Sequence, residues 1–187
     1  MSKPFRRIAA ASATVLALGT GSAIWASASA SAAPTTPAAK AALLPVCTAG
    51  DLAVWVNLGA GQGAAGTWYY PLEFTNTSNH TCRTWGWPGV SATNANGLQL
   101  GDAALRLPIY TPQWVNIAPG GTAHALLAYG NAEVQTSGCK PTNASLIKVY
   151  APNQRTADFG FFSLRACTVG GKDVYLSVSA IVPGTNI

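Results

Sequence analysis

Apolar residues recur at every second position along most of this chain. In the segment 173–182, Leu176 and Val178 alternate with Tyr175 and Ser179, which are predicted to face outward. A period of two is typical of an extended strand that buries one face and exposes the other. Beyond residue 32, no segment carries the wider apolar stripe of an amphipathic helix. The pattern therefore predicts an all-β chain.

Turn-forming residues divide this pattern into eight or nine short strand segments. Glycine, proline and asparagine stand between them, as in the run Asn-Ala-Asn-Gly at 94–97. Short strands at this spacing predict an antiparallel sandwich of two sheets. The predicted segments are 51–57, 67–75, 90–93, 105–110, 114–117, 122–128, 145–150, 159–164 and 173–182, with 98–100 following the turn at 94–97.

The segment 67–75 carries two further expectations. Trp68, Leu72 and Phe74 share one face of it, so all three are predicted to lie in the core. Pro71 lacks the N–H that a strand ladder needs, which predicts that this strand is at an edge or bulged there. The glycine-rich stretch 59–66 before it is predicted to be a flexible link.

The first 32 residues have the pattern of a secretory signal peptide. Lys3, Arg6 and Arg7 form a positive head, an uncharged apolar run follows, and small residues lead up to Ala32. This order predicts export with cleavage after Ala32, with Ala30 as the alternative site, rather than an uncleaved anchor. The arginine pair leaves both the general and the twin-arginine export routes open. Residues 33–45, rich in Ala, Pro and Thr, are predicted to be a linker, and residues 46–187 the folded domain.

Charge gives no sign of a polyanionic partner once the signal peptide is removed. Residues 33–187 carry eight Lys and Arg against six Asp and Glu, a net charge of +2, and no basic cluster. Nucleic-acid binding and attachment to anionic lipid usually need a basic patch. Neither is expected, and no second apolar run predicts a membrane span after cleavage.

Four cysteines, all after the signal peptide, predict two disulfides in an oxidising compartment. None of them forms a Cys-x-x-Cys pair, so zinc binding and thiol exchange are not expected. Three pairings are possible, and we favour the sequential one, in which each bond closes a loop of about 30 residues. Cys47 lacks a small residue before it, so a lipoprotein anchor is not expected. The favoured pairs are Cys47–Cys82 and Cys139–Cys167.

Residues that usually carry catalysis are scarce. The predicted mature chain has two histidines, His80 in a polar turn and His124 within a predicted strand. Either could act in a Ser/His/Asp arrangement or bind a metal, but no nucleophile motif and no short metal-ligand spacing accompanies them. The sequence therefore predicts no enzyme, no metal site and no cofactor.

Aromatic residues on polar strand faces are the candidate ligand-binding residues. Trp55 lies opposite the apolar face of its strand, Tyr69 shares a face with Glu73, and Trp114 shares a face with Asn116. Flat rings in such places can cover the apolar C–H surface of a sugar. The alternative is that these rings cover the second face of a sheet or pack under loops.

A longer motif runs through nearly the whole predicted mature chain, from about Cys47 to Val182. Its residues are Asn76-Thr77, Cys82, Gly86-Trp87-Pro88-Gly89-Val90, Ile117-Ala118-Pro119-Gly120, Cys139-Lys140-Pro141, Pro152 and Cys167. This motif resembles an actinobacterial family of exported proteins known as domain of unknown function 4232. The resemblance implies an immunoglobulin-like sandwich, two disulfides and an envelope or extracellular location, but no activity.

The centre of that motif, Gly86-Trp87-Pro88-Gly89, is predicted to be structural. Pro88 fixes its own φ and Gly89 permits a positive φ, so the motif is expected to form a rigid turn. Trp85 and Trp87 are expected to point the same way and pack beside Cys82.

Taken together, these features predict a secreted, non-catalytic module whose specific function the sequence leaves unknown. As a binding module it would take a cell-wall polysaccharide, a small ligand or an envelope protein. The alternative is a structural envelope protein that contacts another protein, and a less favoured one is a small hydrolase or metal carrier using His80 or His124.

Overall fold

Twelve β-strands make up most of the described chain in the computed structural model. The structure describes residues 43–130, 139–168 and 175–185. The predicted signal peptide at 1–32, its cleavage site and residues 33–42 of the predicted linker lie outside these ranges. The chain divides into two units, Met1–Lys40 and Ala41–Ile187, and every described residue lies in the second.

The strands β1 to β12 follow the chain in order. They are β1 Leu52–Val56, β2 Gln62–Ala64, β3 Thr67–Asn76, β4 Cys82–Thr84, β5 Gly89–Thr93, β6 Leu105–Leu107, β7 Val115–Ile117, β8 Thr122–Gly130, β9 Pro141–Tyr150, β10 Ala157–Cys167, β11 Leu176–Ser179 and β12 Val182–Pro183. Short 3-10 helical turns, Ala49–Asp51 and Leu58–Ala60, flank β1. Within the described ranges no helix is long and apolar enough to span a membrane.

The strands form a seven-stranded sheet, a three-stranded sheet and a two-stranded sheet. The large sheet runs β1-β3-β8-β11-β6, with β2 also on β3 and β12 also on β8. The three-stranded sheet runs β10-β9-β5, and β4 pairs with β7. All pairs are antiparallel except β11 with β6, whose strands run parallel.

One hydrophobic core lies between the large sheet and the three-stranded sheet. Leu72 and Phe74 of β3 are fully buried in it together with Ile147 of β9. The ring of Phe162 on β10 meets the ring of Tyr70 on β3 edge-to-face, with centroids 5.2 Å apart. In an edge-to-face pair the positive edge of one ring attracts the negative face of the other, which stabilises the contact beyond the apolar area that both rings bury.

Two disulfides join elements that are far apart in sequence, and their pairing confirms the prediction. Cys47 and Cys82 link the segment before β1 to the start of β4 across 35 residues. Cys139 and Cys167 link the segment just before β9 to the end of its neighbour β10 across 28 residues. The structure also confirms the all-β sandwich, with twelve strands instead of eight or nine and one parallel pair that period-two patterns do not reveal.

The prediction that Pro71 marks an edge strand or a bulge is wrong, because β3 lies between β1 and β8. Pro71 stands opposite Leu126 of β8, and its carbonyl accepts a hydrogen bond from the N–H of Asn57 at 2.9 Å. The N and O atoms of one strand residue point to the same side. The missing N–H of Pro71 therefore faces Asn57, one residue beyond the end of β1, so the proline removes only one bond at the very end of this pairing.

Three other predictions, about which side chains are buried and about the glycine-rich stretch, are also wrong. Trp68 is 51% exposed instead of core, because it lies at the end of β3 that pairs with the short strand β2. The glycine-rich stretch contains that strand, and Gly63 fits against the Trp68 ring, so the stretch is paired and not a free link. Tyr175 and Ser179 are both buried instead of outward, and the hydroxyl of Tyr175 donates to the carbonyl of Leu100 at 3.2 Å.

Candidate binding surface

The two-stranded sheet of β4 and β7 has one buried face and one exposed face. Arg83 pairs with Asn116, and extending that register by one position places Trp85 opposite Trp114. Directly opposed residues in an antiparallel pair share a face. We call this outer set, the half-buried Arg83 and the exposed Trp85, Trp114 and Asn116, the tryptophan face. The residues on the other side, Cys82, Thr84, Val115 and Ile117, are all buried.

The two indoles of the tryptophan face form a shallow angle at the surface. Their ring centroids are 6.5 Å apart and their planes are inclined by 42°. Trp85 is 41% exposed and Trp114 is 50% exposed, so ring surface of both remains open to solvent. Two exposed indoles side by side offer apolar, flat area that a single surface aromatic does not provide.

A cation lies on this aromatic pair. The guanidinium carbon of Arg83 is 4.1 Å from the centroid of the Trp114 ring, well within cation–π range. The Nε atom of Arg83 is buried and has no hydrogen-bond partner among the described residues. In those same residues the one salt-bridge contact joins His80 Nε2 to Asp51 at 4.0 Å, so Arg83 has no described carboxylate as a partner.

A second arginine–tryptophan stack involves Trp87, which lies two residues after Trp85. The guanidinium carbon of Arg106 on β6 is 5.1 Å from the centroid of the Trp87 ring. Between the two tryptophans, Gly86 has a φ of 106°, a conformation that side-chain-bearing residues rarely adopt. The predicted positive φ at Gly89 is wrong, because Gly86 is the residue that turns the chain and Gly89 begins β5.

Several contacts hold the tryptophan face in place. The N–H of Arg83 donates to the carbonyl of Pro45 at 2.8 Å, and the N–H of Cys47 donates back to the carbonyl of Arg83 at 2.9 Å. The amide of Asn153 donates to the carbonyl of Trp85 at 3.0 Å. With the adjacent Cys47–Cys82 disulfide, these bonds fix the backbone on which the two rings stand.

The three aromatics predicted from the sequence do not come together. Trp55 and Tyr69 lie on the large sheet, where Trp55 stands opposite Glu73 of β3 and Tyr69 opposite Ala128 of β8. Trp114 lies on the small sheet and pairs with Trp85. The predicted face shared by Trp114 and Asn116 is therefore present, whereas the prediction that Trp85 packs structurally beside the disulfide misses its exposed ring.

The two histidines occupy very different surroundings. His80 lies in an exposed turn 4.0 Å from Asp51. Hydrogen bonds from the backbone N–H and the hydroxyl of Thr48, at 2.8 and 2.7 Å, lower the pKa of the Asp51 carboxyl below 3.8. This carboxyl caps a helical turn, a structural use of its charge.

His124 is 2% exposed and stands opposite Glu73, which is also buried. Its Nδ1 lies 2.8 Å from the carbonyl of Gly184, which can only accept, so Nδ1 carries the proton. Its Nε2 has no partner among the described residues. Glu73 is bonded instead by the side-chain amide of Asn57 at 2.8 Å. In the described part of the chain no group of three or more His, Cys, Asp or Glu could hold a metal ion.

An open groove of about 430 Å³ lies where β10 bulges against β9. The guanidinium of Arg165 donates to the amide oxygen of Asn143 at 2.6 Å on one wall. A smaller hollow of about 250 Å³ adjoins it, and Phe161, which is 86% exposed, forms part of its lining. The two hollows share Ser145 and Ser163. The smaller hollow is also lined by Tyr70 and Phe162, whose rings meet edge-to-face at the edge of the core.

Sequence reasoning missed Arg83 and Trp85 as surface residues. The missed signal is the alternation Arg83-Thr84-Trp85 opposite Trp114-Val115-Asn116. It becomes a face only once β4 is known to pair with β7, about 30 residues away.

No curated protein and no solved structure matches this chain. The family described as "Domain of unknown function (DUF4232)" matches residues 47–181, a range that spans all four cysteines and the whole tryptophan face. Because the match covers well over half of the sequence, the chain belongs to the DUF4232 family.

Proposed function

We propose that this protein is an exported, non-catalytic binding module that takes a carbohydrate polymer on its tryptophan face. The observation that carries the proposal is the exposed pair Trp85 and Trp114, 6.5 Å apart. Indole faces cover the apolar C–H surface of pyranose rings, and the neighbouring Asn116 supplies an exposed amide for hydroxyl groups. A rigid, disulfide-anchored backbone lowers the cost of ordering these side chains on binding.

Export is supported by two features of the chain. Two disulfides are rare in reducing compartments and common in secreted proteins. The positive, apolar and small-residue pattern of residues 1–32 is that of a signal peptide. The proposed location is the actinobacterial envelope or the surrounding medium, where wall polysaccharides are available.

A non-catalytic role is supported by the surroundings of the histidines. The Asp51 carboxyl beside His80 is already bonded to Thr48 as a helix cap. His124 is buried beneath the surface of the large sheet. Neither arrangement presents an activated nucleophile beside an open cavity, which a hydrolase would need.

The test is a titration of the purified, disulfide-bonded protein with soluble polysaccharides, followed by tryptophan fluorescence. Trp114→Ala should weaken binding at least tenfold, because stacking on one ring is lost. Trp55→Ala is the matched control, since Trp55 is similarly exposed, at 45%, but lies on the other sheet. Binding that is lost with Trp55→Ala and kept with Trp114→Ala would reject the tryptophan face as the site.

A second candidate function is contact with another envelope protein through β10. Phe159 and Phe161 are both exposed on this strand, and Leu58 lines the same hollow as Phe161. Exposed apolar clusters of this kind mark protein contacts. Cross-linking in the intact envelope should then give a product that Phe161→Ser abolishes and Trp114→Ala leaves unchanged.

A further inference from the structure

The charges on the tryptophan face identify the class of polymer more closely. Arg83 stacks on Trp114, and Arg106 stacks on Trp87 two positions beyond Trp85. Within the described ranges neither arginine has a carboxylate in salt-bridge contact, since the one such contact is between His80 and Asp51. One cation, Arg83, therefore lies on the exposed indole pair and a second, Arg106, on the neighbouring Trp87, and neither has a carboxylate partner among the residues that the structure describes.

Stacking leaves the donor groups of an arginine free while the ring holds the guanidinium plane in place. A guanidinium fixed in this way matches a carboxylate or a phosphate, which accept paired N–H donors. A neutral sugar would leave both positive charges uncompensated as water is excluded around them. The combination favours a ligand with ring surface for the indoles and anionic groups for the arginines.

We propose that the ligand of the tryptophan face is an anionic polysaccharide, bearing carboxylate or phosphate groups on its sugar units. This inference rests on the proposed carbohydrate-binding function and narrows it. The surface also resembles a platform for single-stranded nucleic acid, because indoles and arginines serve there too. The low net charge of residues 33–187, +2, favours the polysaccharide, since nucleic-acid binders carry broader basic surfaces.

The experiment compares matched pairs of polymers against the purified protein at low and high salt. Polygalacturonate is paired with its methyl ester, and phosphomannan with unphosphorylated mannan, so that each pair keeps the same sugar backbone with and without the anionic groups. We expect the anionic member of at least one pair to bind about tenfold more tightly at low salt, with the difference shrinking as salt screens it. The pair that responds identifies carboxylate or phosphate as the recognised group.

Variants separate this inference from the proposed function. Arg83→Gln should remove most of the preference for the charged polymer. If Arg83→Gln does not fold, Arg106→Gln, which lies on an exposed strand, is the substitute test and should remove part of that preference. Arg165→Gln, on the three-stranded sheet, is the matched control and should change nothing.

Equal affinity for charged and neutral polymers, still lost with Trp114→Ala, would overturn the inference and keep the proposed function. Absence of binding to all four polymers would overturn both. Tighter binding to oligothymidylate than to any polysaccharide would likewise overturn both.

Discussion

Gly101 and Gly120 offer a matched test of the architecture. Both adopt a left-handed backbone, with φ of 70° and 72°. A Cβ at Gly120 would meet nothing within 4 Å, whereas a Cβ at Gly101 would overlap the backbone carbonyl oxygen of Cys167 at the end of β10. The two positions therefore share a conformational cost and differ only in space.

The expected magnitudes follow from that difference. Alanine in the left-handed region costs about 1 kcal/mol. Gly120→Ala should therefore lower the free energy of unfolding by about 1 kcal/mol. At Gly101 the same cost is joined by overpacking of about 1–3 kcal/mol, because a backbone carbonyl cannot rotate away like a side chain. Gly101→Ala should thus cost about 2–4 kcal/mol in total.

The assay is urea unfolding with both disulfides intact, followed by circular dichroism and tryptophan fluorescence. With a slope of about 2 kcal/mol per molar urea, Gly120→Ala should lower the midpoint by about 0.5 M and Gly101→Ala by about 1–2 M. Equal midpoints for the two variants would refute the contact of the 98–104 loop with β10. A larger loss at Gly120 would refute the reasoning altogether.

Three further predictions concern stability and ionisation. Replacing Cys47 and Cys82 together by alanine should lower the free energy of unfolding by about 4 kcal/mol, the chain-entropy value for a 35-residue loop, as measured by urea unfolding without reductant. The lowered pKa of Asp51 adds stability above its ordinary value of 3.8, and this is lost as the pH falls through the lowered folded value. Asp51→Asn should therefore be less stable than the wild type at pH 7 and equally stable once the pH lies below the lowered folded value, whereas a constant difference would contradict that linkage. Burial, then the charge of Asp102, raises the pKa of Tyr175 from 10 to about 12, so stability that is full below pH 10 declines as the pH approaches 12. Tyr175→Phe should remove the latest step from an ultraviolet titration of phenolate, and persistence of that step would assign it to another tyrosine.

The strands with a clean period of two were predictable because burial of one strand face is enough to produce that pattern in the sequence. Leu72 and Phe74 are fully buried, as their alternation in β3 indicates. Trp68 obeys the same alternation and is half exposed, because the core ends before it does. Periodicity therefore identifies the face of a residue but not how far along the strand the opposite sheet extends.

Pairing between distant segments is the part that the sequence does not reveal. Trp114 was a candidate from its own strand segment, but its neighbour Trp85 directly follows β4, a three-residue strand too short for a pattern. Cation–π partners are likewise set by register, as with Arg83 over Trp114. Disulfide pairing was predictable because only three combinations exist and the sequential one closes short loops.

The parallel pair of β11 and β6 has a consequence for truncated forms of the protein. Leu105 stands opposite Ser177, so this pairing closes a loop of about 70 residues, and β11 also borders β8. A chain that stops before residue 175 would lack β11, so the backbone N–H and C=O groups along one edge of β6 and one edge of β8 would lose their partners. Strand edges exposed in this way pair with strands of other chains. Premature termination near the C-terminus should therefore give insoluble aggregates instead of a slightly shortened native protein.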